Sequence, residues 1–94
     1  MKTIITGASG FVGQNLSRYL KQKNIFVEEL SLRNKEWSTQ LNQKANALIH
    51  LAGKAHDVEK TAEEKEYFEI NRDLTIELFH EFLKSEIQDF FFFS

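Results

Sequence analysis

A chain of 94 residues with 41% hydrophobic and 28% charged side chains has the composition of one small globular domain, or of part of one, and not that of a disordered segment. Lys and Arg number 12 against 14 Asp and Glu, so the net charge is -2 and the basic field that nucleic acid or acidic lipid requires is missing. Cysteine is absent, which removes disulfides, thiolate chemistry and most zinc sites and suits a reducing compartment.

The opening "MKTIITG" reaches a glycine too soon to supply the apolar stretch of a secretory signal, and no run approaches membrane-spanning length. A cytoplasmic protein is expected. "KTIIT" is a short β-rich run cut off by Gly7 and reads as a buried strand. From Phe11 onward Val12, Leu16, Tyr19 and Leu20 mark one face of a helix that reaches about Lys23. "NIFVEEL", residues 24–30, is a second strand that runs on into "SLR". The segment "NKEWSTQLNQK" has weak periodicity and reads as a short helix or an irregular crossover. "NALIHLAG", residues 46–53, is a third strand ending in another glycine, and "KAHDVEK" is the loop beyond it. Thr61 and Glu64 form a capping box that opens a helix running to about Lys84. Its stripe is Tyr67, Asn71, Leu74, Leu78 and Phe82, widened by Phe68, Ile70, Phe79 and Leu83. "DFFFFS", residues 89–94, is a fourth strand.

Strands that alternate with helices predict a parallel sheet with right-handed crossovers, and strands buried on both faces explain the continuous apolar runs. The expected fold is α/β, a partial Rossmann-type sheet of four strands in the order 3-2-1-4 with helices on both faces.

Glycine costs about 1 kcal/mol in a helix relative to alanine, so Gly7, Gly10 and Gly13 at strict three-residue intervals need a reason. Gly7 allows a sharp turn out of the strand, Gly10 lets a pyrophosphate approach the backbone, and Gly13 lets the helix lie tight against the sheet. Unpaired amides and the partial positive charge at the helix start favour an anion there. A P-loop is excluded, because no Gly-Lys-Ser/Thr follows. The candidate cradle is Gly7, Ser9, Gly10, Phe11, Val12 and Gly13.

"TGASGFVG", "LIHLAG" and "EYFEINRDLT", in this order, resemble the extended short-chain dehydrogenase/reductase family, the NAD-dependent epimerase/dehydratases. The likeness runs from Lys2 to Ser94. It implies that Leu51, Ala52 and Gly53 border the adenosine ribose and pyrophosphate with Lys54 nearby, and that Asn71 takes the place of the helix asparagine beside the cofactor. A buried polar role for Asn71 is compatible with that. In relatives an acid at the end of the second strand takes the ribose hydroxyls of NAD; the family spacing puts Ser31 there, with Arg33 two residues on. A hydroxyl and a guanidinium suit a 2′-phosphate, so NADP is the preferred cofactor and NAD the other possibility. Arg33 as a plain surface charge, and Glu28 or Glu29 as rivals to Ser31, remain the competing readings.

The family's chemistry resembles hydride transfer assisted by a Ser/Thr and a Tyr-x-x-x-Lys pair. "YLKQK", Tyr19 to Lys23, matches the pair by accident, because it lies on the first crossover helix instead of one beyond the fourth strand. No catalytic residue is therefore carried onto this chain apart from Ser94, which falls one or two residues early. The resemblance implies that residues 1–94 are the N-terminal portion of an NAD(P)-binding domain whose catalytic and substrate-binding parts lie elsewhere, so the 94 residues alone are expected to be inactive. The parent would be an epimerase, dehydratase or reductase of a nucleotide sugar; the alternative is a non-catalytic NADP-sensing regulator. The fourth strand is expected to offer an open apolar edge and to self-associate. His50 is expected to hydrogen-bond structurally, His56 and Asp57 to lie in a loop without a metal, His80 to face solvent, and Trp37 to lie near the adenine.

Overall fold

The computed structural model describes residues 1–51 and 62–93. Its elements in chain order are β1 (Lys2–Thr6), α1 (Phe11–Gln22), β2 (Phe26–Leu30), α2 (Trp37–Gln40), β3 (Ala47–Leu51), α3 (Ala62–Lys84) and β4 (Asp89–Phe93). All pairings are parallel. Each expected strand and helix is present, trimmed by a few residues at its ends. The α1 helix stops at Lys23, and Asn24 adopts φ 62, the left-handed conformation that releases the chain toward β2 and that asparagine tolerates better than most residues. α3 begins at Ala62, next to the expected capping box, but Thr61 and the Glu64 side chain lie outside the described residues.

The strand order is β2-β1-β3-β4, which corrects the expected 3-2-1-4. β3 lies beside β1, with Thr3 opposite Ala47 and Thr6 opposite His50, and β4 pairs with its far side. The reason is visible in the strands themselves. β2 carries Glu28 and Glu29 in mid-strand and suits an edge, whereas Ala47, Leu48 and His50 of β3 are buried and need neighbours on both sides.

Reversing direction after β2 obliges a right-handed crossover to change faces. α1 packs on β1 and β2 from one side. The short α2 segment and α3 cover the other, where Trp37, Leu41, Ala45, Leu78 and Ile87 close over Ile4, Leu30 and Leu48. Burying side chains such as Ile4, Leu48 and Leu78 contributes about 1.5 to 3 kcal/mol each. Trp37 is 5% exposed within this core, which corrects its expected place by the adenine: the crossover is short, and the indole is the largest apolar body available to seal the sheet.

α1 also turns a different face inward from the one its hydrophobic residues suggest. Gly13 and Ser17 are buried, Leu16 and Leu20 are half-buried, and Val12 and Tyr19 are 63% and 55% exposed. The helix lies so close to the strands that size decides which residues fit beneath it. On α3, Leu78 is buried and Asn71, Leu74 and Phe82 are half-buried, while Ile70, Phe79 and Leu83, expected to widen the stripe, are largely exposed; the side chains of Tyr67 and Phe68 lie outside the described residues. At its C-terminal end Phe79 and Phe82 meet Phe90 of β4 with ring centroids 5.4 and 5.2 Å away.

Candidate functional site

Chain direction puts the carboxyl ends of all four strands at one end of the sheet. Between β1 and β3 the chain leaves toward opposite faces, into α1 from one and toward α3 from the other. Such a divergence opens a crevice, and ligands of open parallel sheets bind there. Gly7 stands at its β1 side and Leu51 at its β3 side.

The three glycines divide their duties. Gly7 has φ +73, and a Cβ on it would lie 2.5 Å from the Leu51 carbonyl oxygen, so the turn can approach β3 only without a side chain. A Cβ on Gly13 would overlap the Gly7 carbonyl oxygen and lie 2.6 Å from Ala8 Cα, because the first turn of α1 rests on the loop that leads into it. Gly10 differs. Its φ of -74 suits any residue, and a Cβ there would meet only the Gly7 carbonyl oxygen, at an ordinary 3.6 Å. Among the described residues nothing requires a glycine at this position.

Gly10 is also the N-cap of α1. Its amide donates to the Gly7 carbonyl at 3.2 Å and its carbonyl accepts from the Gln14 amide at 2.9 Å. It provides no side-chain cap, the first turn contains no acidic residue, and the amides of Phe11, Val12 and Gly13 have no intrahelical acceptor. The rim is fixed by side chains: Gln14 Nε2 donates to the Ser9 carbonyl at 2.9 Å and Asn15 Nδ2 to the Phe11 carbonyl at 2.8 Å. Ser9, Phe11 and Val12 are exposed around it. A small-residue turn, free amides and an open Gly10 together fit a diphosphate group.

Beside this turn, Leu30 ends β2 opposite Thr6, so Ser31 is the first residue past the strand. Ser31 and Arg33 are exposed, in a turn closed by the Asn34 amide donating to the Ser31 carbonyl at 3.4 Å. Glu28 is engaged elsewhere, 3.8 Å from Lys2 Nζ and accepting from Asn42 Nδ2 at 3.4 Å. Glu29 is an exposed residue one position short of the strand end.

On the other side of Thr6, His50 is buried between two hydroxyls. Its Nδ1 is 2.5 Å from Thr6 Oγ1 and its Nε2 is 2.8 Å from Thr75 Oγ1, which itself donates to the Asn71 carbonyl at 2.9 Å. The expected structural role is thus met in full, and burial pushes the ring's pKa below its ordinary 6.5. Sequence reading found His50 and Asn71 but passed over Thr6 and Thr75. A threonine in a strand or helix carries no signal beyond its propensity, and only spatial proximity reveals these two.

The sequence model of the NAD dependent epimerase/dehydratase family matches residues 3–94. The chain belongs to this family. No curated protein matches the chain. Among solved structures it is similar to a short-chain dehydrogenase/reductase superfamily protein from Agrobacterium tumefaciens, crystallised with bound NAD, at a TM-score of 0.77 and 20% identity. That likeness shows the fold, and it covers 98% of this chain but 32% of the other, so the chain spans about a third of that protein's length.

The other anticipated positions are distributed as follows in this family member. Leu51 and Asn71 are half-buried at the ends of β3 and within α3. Ala52, Gly53, Lys54, His56, Asp57 and Ser94 lie outside the described residues. Tyr19 is on the outer surface of α1 with Lys23 Nζ 5.6 Å from its ring centroid, well down the helix from the glycine turn. His80 is exposed. Among the described residues no three His, Cys, Asp or Glu side chains come together as a metal site, and no helix is long and apolar enough to cross a membrane.

Proposed function

We propose that this chain is the N-terminal portion of an NAD(P)-binding domain, in the cytoplasm, and that its parent is an epimerase, dehydratase or reductase of nucleotide-activated sugars. The observation that carries the reading is Gly10, a glycine that none of the described residues around it needs, at the place where a side chain would stand between a diphosphate and the amides of Phe11, Val12 and Gly13. Gly7 and Ser9 would border the same group, and Ser31 and Arg33 the adenosine ribose. Leu51, Ala52, Gly53, Lys54 and Asn71 would follow the cofactor along the β1/β3 crevice. When bound, the nicotinamide would accept or return a hydride. The chain's own part is to hold and orient it, since no acid or base for the sugar is assigned here; Ser94 is the sole candidate and the 94 residues alone should be inactive. Calorimetric titration of NAD, NADP and ADP-ribose into the chain tests the reading, and binding of none of them would end it.

NADP is the proposed preference. Ser31 leaves room for a 2′-phosphate, and Arg33 is exposed in the adjoining turn with no ion pair to hold it elsewhere among the described residues. Arg33→Ala should weaken NADP binding by about tenfold and leave NAD within about twofold, the loss expected for one charge-assisted contact. Equal losses for both cofactors would remove the argument.

Self-association is the remaining proposal. Among the described residues β4 ends the sheet, and Phe91, Phe92 and Phe93 are 49%, 51% and 54% exposed along it, an apolar edge. Sedimentation should show mass rising with concentration, and Phe91→Lys with Phe93→Lys should suppress the rise. A strictly monomeric wild type at high micromolar concentration would count against it.

A further inference from the structure

Thr75 Oγ1 has one hydrogen, and it goes to the Asn71 carbonyl. With that hydrogen given to the carbonyl, Thr75 accepts from His50, and the assignment that follows is a ring proton on Nε2. Nδ1 is then an acceptor, and Thr6 Oγ1 must be its donor. Hydrogen bonds consequently run in one direction, from Thr6 to His50 to Thr75 to the Asn71 carbonyl, each polarising the next.

The two ends of this chain are placed where the cofactor reading needs rigidity. Thr6 is the last residue of β1, and the turn that begins at Gly7 packs closely against Leu51 and the first turn of α1. Asn71 is on α3, across the crevice. We propose that His50 is a positioning residue for the diphosphate turn: as its neutral Nε2–H tautomer it ties Thr6 to α3, and dinucleotide affinity depends on that tie. The proposal rests on the cofactor reading above.

Protonation would reverse the tie at Thr6 and put a buried charge within it. A second ring proton at Nδ1 would require the Thr6 hydroxyl to swing its hydrogen away and accept, reversing that bond, and would place a cation where no carboxylate waits among the described residues. Among the described residues the groups facing the ring are Thr6 from β1, Phe92 from β4 at 5.3 Å between centroids, and Thr75 from α3; none of these is charged, and none forms an ion pair with His50. Arg72 and Asp73 on the same helix are exposed and 3.7 Å from one another.

The test combines two measurements on the 94-residue chain between about pH 8 and about pH 5, the range in which histidine titrates. Nitrogen shifts of the imidazole assign the tautomer and locate the protonation of His50, while calorimetry gives Kd for NAD and NADP under conditions where circular dichroism shows the chain folded. In wild type, Nε2 should carry the proton, and Kd should be flat at high pH and then rise about tenfold per pH unit below the point where the ring protonates, the slope of one linked proton. His50→Gln should bind about tenfold more weakly at high pH and lose the slope, the effect of one lost hydrogen-bonded tie. Thr75→Val, which keeps the shape of the side chain, should move the onset of the rise together with the ring's midpoint, so the proposal does not hang on one variant folding. An Nδ1–H tautomer, a flat Kd across the observed titration, or a wild-type slope in His50→Gln would overturn it. If wild type shows the Nε2–H tautomer yet binds neither dinucleotide at any pH, the cofactor reading itself has failed and this proposal falls with it.

Discussion

Gly10→Ala is expected to weaken NAD and NADP binding by about tenfold or more while leaving thermal melting within a few degrees of wild type. The added methyl meets the Gly7 carbonyl oxygen at 3.6 Å and lies at a φ of -74, so the native chain accommodates it without strain. Replacing glycine by alanine at such a place costs the unfolded chain freedom, and the net change in stability is a gain of about 0.4 to 1 kcal/mol or close to nothing. On the outer side the same methyl occupies the approach to the amides of the first helical turn, where a diphosphate must come within hydrogen-bond distance. Tenfold corresponds to about 1.4 kcal/mol, the order of a single charge-assisted hydrogen bond lost or stretched. Gly10→Val should extend the loss. Titration calorimetry and a thermal melt on the same preparation decide the matter: unchanged affinity would mean that the open space at Gly10 serves no ligand, and a large drop in melting temperature would mean that the glycine is there for the fold.

The opposite outcome is expected three residues on. Gly13→Ala should lower stability by about 3 kcal/mol or more, at the upper end of overpacking costs, because the three atoms nearest its Cβ belong to the backbone of Gly7 and Ala8 and cannot rotate away. Total stability for a domain of this length is on the order of 5 to 10 kcal/mol. A loss of about 3 kcal/mol is then a fall of roughly 12 to 24 °C in melting temperature. The affected contact is that between α1 and the turn, so the variant should also lose binding, but through unfolding and helix displacement. A Gly13→Ala chain melting within a few degrees of wild type would show that the helix can lift off the loop at little cost. Together the two substitutions would separate glycines serving the fold from one proposed to serve a ligand, although all three look alike in the sequence.

That distinction marks the boundary of what was legible in the residues. The strand "KTIIT" and the glycine that halts it, the helix that follows, and the final apolar strand all appear where their local patterns put them, because periodicity, β-branching and breakers act over a few residues. The candidate cradle was legible for the same reason: a strand, a turn needing a positive φ and a helix start are all written within 13 residues. The inward face of α1 was not. Hydrophobicity singled out Val12 and Tyr19, but Gly13 and Ser17 lie underneath, since distance from the sheet selects by volume.

Sequence by itself thus determined the order and kind of the elements, the parallel sheet and the position of the glycine turn at its carboxyl end. The neighbour of each strand was decided only in three dimensions: β3 lies between β1 and β4, and the crevice opens at the β1/β3 boundary. Tertiary structure likewise drew Trp37 into the core and joined Thr6, His50 and Thr75, which stand 44 and 25 residues apart. Pairing and packing at such separations depend on which surfaces remain uncovered once the other elements have folded, and no local stretch of the chain carries that information.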